Sequence, residues 1–172
     1  MFNIINSWNT YKNEINFAEF KKHQSFANMF WYFETTMLHS LIREIKPTKI
    51  IEFGCHKGFT SYVILNALKI NNIKSELFSF DIIPDSEYLN CNNNVSRKLI
   101  TGDLRDSALN FMNECDFVFI DADHTFELGQ WYCQQIFPFL ESGVIIVSHD
   151  WEESAALTHE SYALKTLGID TK

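Results

Sequence analysis

After Pro47 the chain changes rhythm, and that change constrains the fold more than any other feature. Five short apolar runs follow, at Lys49–Phe53, Leu77–Phe80, Lys98–Thr101, Phe117–Ile120 and Val144–Val147. A strand with one wet face alternates apolar and polar residues, whereas a near-continuous apolar run suits a strand covered on both faces. Between the runs, Phe59–Leu68, Leu104–Met112 and Phe126–Leu140 have helical character, and the mostly polar connection from Ile82 to Ser96 leaves room for a short helix. Strands alternating with helices imply a mostly parallel sheet, and right-handed crossovers make a doubly wound, Rossmann-like α/β fold the economical topology.

Ahead of Pro47, from Glu14 to about Lys46, apolar residues recur at helical spacing, including Phe26, Phe30, Phe33, Met37, Leu38, Leu41, Ile42 and Ile45. Residues 1–46 therefore read as a helical lead-in that Pro47 ends, its aromatic stripe serving as core packing. A last helical segment is expected over about Glu152–Leu167. No repeat or linker divides the 172 residues, and 46% hydrophobic content supports one core, so one domain over 1–172 is expected.

The formal charge of −8 argues against a general nucleic-acid binder, which needs clustered Lys and Arg to neutralise phosphates. A small-molecule partner suits the chain better. Cys55, Cys91, Cys115 and Cys133 form no C-x-x-C pair, which fits a reduced, cytoplasmic setting. No run of ~18 apolar residues is present, so no membrane partner is expected.

In a doubly wound sheet the ligand sits beyond the carboxyl ends of the strands, so the residues after each apolar run carry the functional information. The first end reads Glu52-Phe53-Gly54-Cys55-His56-Lys57-Gly58-Phe59-Thr60. Gly54 and Gly58 permit a sharp turn, and the helix that follows offers free N–H groups to an anion. His56 and Phe59 stand where a dinucleotide fingerprint wants glycines, and the Walker spacing is missing, so pyrophosphate cofactors and phosphoryl transfer are disfavoured. At the second end, Asp81 either holds two ribose hydroxyls of an adenosine-containing ligand or caps the next turn. At the third, Asp103 after Gly102 either accepts from an adenine amino group or caps the helix beginning at Leu104, and the two roles can coexist.

The fourth end, Ile120-Asp121-Ala122-Asp123-His124, is the densest, with two carboxylates and an imidazole able to bind a divalent ion, accept a proton, or both. The fifth end adds His149-Asp150-Trp151, which a parallel sheet would bring beside the fourth. Asp121, His124, His149 and Asp150 are thus expected to converge on one pocket.

Taken in order, E-x-G-x-x-x-G-x-T, D, G-D, I-D-A-D-H and S-H-D-W, from about Thr36 to Trp151, resemble the class I S-adenosylmethionine-dependent methyltransferases. The pattern is most similar to the small-molecule O-methyltransferases of the macrocin and caffeoyl-CoA/catechol type. The resemblance implies five parallel strands in the order 3-2-1-4-5 with helices on both faces, without the last two of the family's seven strands. It implies that Glu52, Gly54, Cys55, His56 and Gly58 shape the methionine pocket, that Asp81 binds the ribose, and that Asp103 and Leu104 face the adenine. Asp121 would lie near the methionine moiety or a metal, with Asp121 and Asp150 the match for a Mg2+ site. His149 or His124, with Asp121, would remove the acceptor's proton during in-line methyl transfer.

The expected activity is methylation of a small hydroxylated molecule of sugar, polyketide or phenolic type, with S-adenosylmethionine as cofactor, Mg2+ optional, and a homodimer open to it. The alternative is a truncated or non-catalytic cofactor-binding domain acting with a partner subunit. A third class, the two-His-one-carboxylate iron oxygenases, would need neither the glycine turn nor the carboxylate after the second strand.

Overall fold

The structure is a computed structural model that describes residues 3–16, 29–83 and 91–149. Its centre is a five-stranded parallel sheet of β1 (Lys49–Phe53), β2 (Ser75–Asp81), β3 (Val95–Thr101), β4 (Phe117–Ile120) and β5 (Ile145–Ser148). The strand order is β3-β2-β1-β4-β5, the order the motif series implied. Four helices are described: α1 (Ile4–Tyr11), α2 (Met29–Ile45), α3 (Phe59–Asn71) and α4 (Phe126–Trp131).

Along the central strands β1, β2 and β4 alternate residues feed two separate cores, which is why their apolar runs are near-continuous. Ile50, Leu77, Phe117 and Phe119 face Leu38 and Ile42 of α2 and Val63, Ile64, Ala67 and Leu68 of α3. On the other side Ile51, Phe53, Phe80, Val118 and Ile120 meet Leu104, Met112, Leu128, Tyr132 and Ile136. Each of the fully buried side chains contributes about 1.5–3 kcal/mol relative to exposure. Glu52 breaks the pattern: it lies on the α2/α3 face, fully buried.

The lead-in differs from its expected form. Helix α2 ends at Ile45, one residue before Lys46 adopts φ 55° and two before Pro47, as a proline stop requires. Residues 12–16, however, form turn and bend rather than the start of a long helix. Trp8 of α1 ties that element to α2, donating from Nε1 to Thr36 Oγ1 at 2.8 Å and stacking obliquely on Phe33 at 5.3 Å.

Two other helical expectations need correction. Leu104–Met112 contains no α-helix but two 3-10 turns, Leu104–Asp106 and Ala108–Phe111, separated at Ser107 with φ −143°. Asp103, Asp106, Ser107 and Asn110 bond locally to the backbone or favour turns, which undercuts an α-helix there. Phe126–Leu140 begins as α4 but loosens into a π-turn at Tyr132–Ile136 and tightens into a 3-10 turn at Phe137–Phe139, where Pro138 has no N–H to donate. Strands β2 and β3 run longer than their apolar cores, and β5 starts at Ile145 rather than Val144. The possible helix between Ile82 and Ser96 falls largely, and the one over 152–167 wholly, outside the described residues.

Candidate functional site

The hydrogen-bond ladder does not stop where the strands end, and that extension assembles the site. Gly54 N donates to Phe80 O at 2.9 Å, Asp121 N to Phe53 O at 2.7 Å, Gly102 N to Asp81 O at 3.0 Å and His149 N to Ile120 O at 2.9 Å. The first residue beyond β1, β3, β4 and β5 is therefore locked to the neighbouring strand, and the functional side chains leave one edge in fixed register. A cleft opens there, lined by Gly54, Phe80, Asp81, Ile82, Gly102, Asp103, Leu104, Arg105, Asp121, Ala122, Asp123, Thr125 and Leu128.

The glycine turn has a reason of its own. Gly54 sits at φ 85°, and a Cβ there would lie 2.0 Å from the carbonyl oxygen of Asp121 and 2.7 Å from Cα of Ala122. Absence of a side chain thus lets β1 and β4 close together, in addition to whatever access it gives a ligand. His56 adopts φ 39° and Gly58, at φ 79°, precedes the first turn of α3.

Asp81 fastens this turn. Its Oδ2 accepts from the backbone N–H of Cys55 at 3.0 Å and of His56 at 2.7 Å, while Oδ1 accepts from Ile83 N at 3.0 Å. The capping role foreseen for Asp81 is realised, and of the roughly four lone-pair positions of a carboxylate one, on Oδ1, remains for a ligand. Asp103 caps the 3-10 turn through Arg105 N at 2.9 Å, and both its oxygens are also held by the Arg105 guanidinium. Those bonds from Arg105 hold the Asp103 carboxyl below its ordinary range.

Of the residues expected to hold a cofactor, Gly54, Asp81, Asp103, Leu104 and Asp121 line the cleft, whereas Glu52, Cys55, His56 and Gly58 do not. Glu52 lies beneath the turn, where its Oε2 accepts from Ser61 Oγ and from Ser79 Oγ, each at 2.5 Å. Arg97 closes the network, donating to both hydroxyls at 3.1 Å. Among the described residues Glu52 Oε1 has no hydrogen-bond partner, and burial pushes the carboxyl up to about 7 against the opposing hydroxyls and Arg97. The register pairs Glu52 directly with Ser79, a contact that no local signal in the sequence announces.

Of the residues expected on one pocket, Asp121 lines the cleft, whereas His124 and His149 stand beside it and meet it through Asp121. His149 Nδ1 lies 3.2 Å from Asp121 Oδ1, and His124 Nε2 lies 3.8 Å from the same oxygen. One ligand-type atom from each residue falls within 4.8 Å of the other two. The second ring nitrogen of His149, Nε2, is 3.1 Å from Glu34 Oε2 on α2. Sequence reading missed Glu34, which is 115 positions away from His149. It also passed over Phe80, Ile82 and Arg105, although each adjoins a strand end already singled out. Asp150 lies outside the described residues.

Residues 51–151 match the family model described as a methyltransferase domain. The chain belongs to this family. The motif series was thus a sound guide to kinship, and solved structures agree with this methyltransferase domain at the level of fold. SAH-bound methyltransferase PaMTH1 of Podospora anserina is 19% identical over 84% of this chain and 60% of its own, with a TM-score of 0.57. CalS11, a TDP-rhamnose 3'-O-methyltransferase of calicheamicin biosynthesis, is 14% identical over 81% of this chain and 72% of its own, at 0.61. An O-methyltransferase of Bacillus cereus in complex with SAH is 16% identical over 86% and 66%, at 0.52. The chain thus spans 60% of the Podospora protein's length. A search of curated proteins found no match. Among the described residues no helix is long and apolar enough to cross a membrane.

Proposed function

We propose that this methyltransferase domain binds S-adenosylmethionine in the cleft and transfers its methyl group to a hydroxyl of a small molecule. The observation that carries the reading is the position of Asp121. It lines the cleft together with Gly54, Asp81 and Asp103, and it also contacts His149 and His124. A cofactor end and a proton-handling end thereby meet at one carboxylate. Two O-methyltransferases among the neighbours, one of them SAH-bound, and an SAH-bound methyltransferase support the same assignment.

The cofactor would supply a methyl group on a positively charged sulfur. The chain's part is to hold that sulfur and the acceptor oxygen in line and to dispose of the acceptor's proton. Phe80, Ile82 and Leu104 give the cleft its apolar walls, and the remaining acceptor position on Asp81 can take one ribose hydroxyl. The trio of Asp121, His124 and His149 is assigned to the acceptor side. Mg2+ prefers oxygen ligands, so the two imidazoles described here do not suit it, and no step is assigned to it.

Calorimetric titration of the folded protein with S-adenosylhomocysteine tests the reading. Micromolar binding that Asp81→Ala weakens at least tenfold is expected. Absence of binding to the folded parent refutes it.

A further inference from the structure

We infer that Asp121, His124 and His149 form a binding site for a borderline divalent transition metal, of the Zn2+, Co2+ or Fe2+ class, with Glu34 as its supporting carboxylate. The role of the ion in chemistry rests on the methyl-transfer reading; the site itself rests on its donors.

Two imidazoles and one carboxylate are the donor set that such ions favour and Mg2+ does not. The distances fit as well. With metal–ligand bonds of about 2.1 Å, neighbouring donors stand about 3.0 Å apart in an octahedron and about 3.4 Å apart in a tetrahedron. The two edges that meet at Asp121 Oδ1 measure 3.2 and 3.8 Å, and all three donors fall within 4.8 Å of one another.

Glu34 supplies an independent observation. An imidazole bound to a metal through one nitrogen commonly donates its other N–H to a carboxylate, which fixes the tautomer and strengthens the ligand. His149 has that arrangement: Nδ1 faces Asp121 and Nε2 lies 3.1 Å from Glu34 Oε2. The carboxylate comes from α2 and not from the sheet, so the helical lead-in contributes to the site. Three protein donors leave coordination positions open. An acceptor hydroxyl taking one beside the cleft would be acidified by the cation, the alternative to losing its proton to an imidazole.

Metal-free protein is dialysed against Co2+, Zn2+ or Mg2+, the bound metal is quantified, and the visible absorption of bound Co2+ is recorded. One Co2+ per chain is expected, displaced by Zn2+ but not by equal Mg2+. His124→Ala and His149→Ala should each weaken binding by more than about 100-fold, and Glu34→Gln, which leaves all three donors in place, by about 10–100-fold. Circular dichroism checks that each variant is folded. Co2+ affinity unchanged in the folded histidine variants, displacement by equal Mg2+, or no binding by the parent would each overturn the inference. Titration of the same samples with S-adenosylhomocysteine separates the outcomes. Cofactor binding without cobalt sinks the metal site alone, and cobalt without cofactor sinks the methyl-transfer reading alone.

Discussion

Replacing Gly54 with alanine probes the contact on which the site's geometry depends. Two costs add. A side chain at φ 85° disfavours the backbone by about 1–2 kcal/mol. The new Cβ would also lie 2.0 Å from Asp121 O and 2.5 Å from its carbonyl carbon, so the two backbones must part by about 1 Å. That separation strains the 2.7 Å bond from Asp121 N to Phe53 O, the residue immediately before the substitution. Overpacking of this kind costs about 1–3 kcal/mol and the weakened hydrogen bond about 1 more, for a destabilisation of roughly 3–6 kcal/mol. Gly143→Ala is the control, because φ is 99° there and a Cβ would meet nothing within 4 Å. It should lose only the backbone part, about 1–2 kcal/mol. Urea unfolding of both variants, followed by fluorescence, measures the difference. If Gly54→Ala comes within about 1 kcal/mol of Gly143→Ala, the close approach of β1 and β4 is not what requires glycine.

Glu52 should give stability a pH slope opposite to that of an ordinary salt-bridged acid. Its carboxyl is raised from 4.5 to about 7, so between those values only the unfolded chain gives up the proton. Stability then falls as pH rises through that window, by about 3 kcal/mol in all, and Glu52→Gln should flatten the fall; parallel curves for parent and variant from about pH 4.5 to pH 7.5 would contradict this. Asp81→Ala leaves the N–H groups of Cys55, His56 and Ile83 without their acceptor, and a loss of about 1–3 kcal/mol by thermal unfolding is expected beyond its effect on S-adenosylhomocysteine affinity. Asp121→Asn and His149→Ala should each lower methyl transfer at least about 100-fold with folding retained, whether the lost group takes the acceptor's proton or holds the ion that acidifies it, and unchanged turnover would move that role elsewhere. Chelation should abolish transfer, with Zn2+ or Co2+ restoring it better than Mg2+ in a radiolabelled-methyl assay, and chelator-resistant turnover would separate the metal from the reaction.

Much of the fold could be read along the chain because its signals are local. A continuous apolar run such as Phe117–Ile120 reports burial on both faces, and Pro47 reports a helix stop, without reference to any distant residue. Helix type was less legible where competing terms are close in energy. Leu104–Met112 carries enough apolar residues to look helical, yet its Asp, Ser and Asn side chains and backbone favour 3-10 turns. For Asp81 the two readings left open at the sequence level were not exclusive, since the carboxylate caps the turn and still faces the cleft.

What the sequence by itself determined was the set of strand-end residues that can meet: the glycine turn, Asp81, Asp103, Asp121 with His124, and His149. Order along the chain and the parallel-sheet rule place those residues on one edge. Only the tertiary structure decided how they meet. Register sets His149 N–H on Ile120 O and so brings its ring to Asp121, and it pairs Glu52 with Ser79 beneath the glycine turn and away from the cleft. Packing of α2 on the sheet carries Glu34 to His149 across 115 positions. Contacts of that range arise from burial and register across the whole sheet, and no periodicity in the intervening chain encodes them.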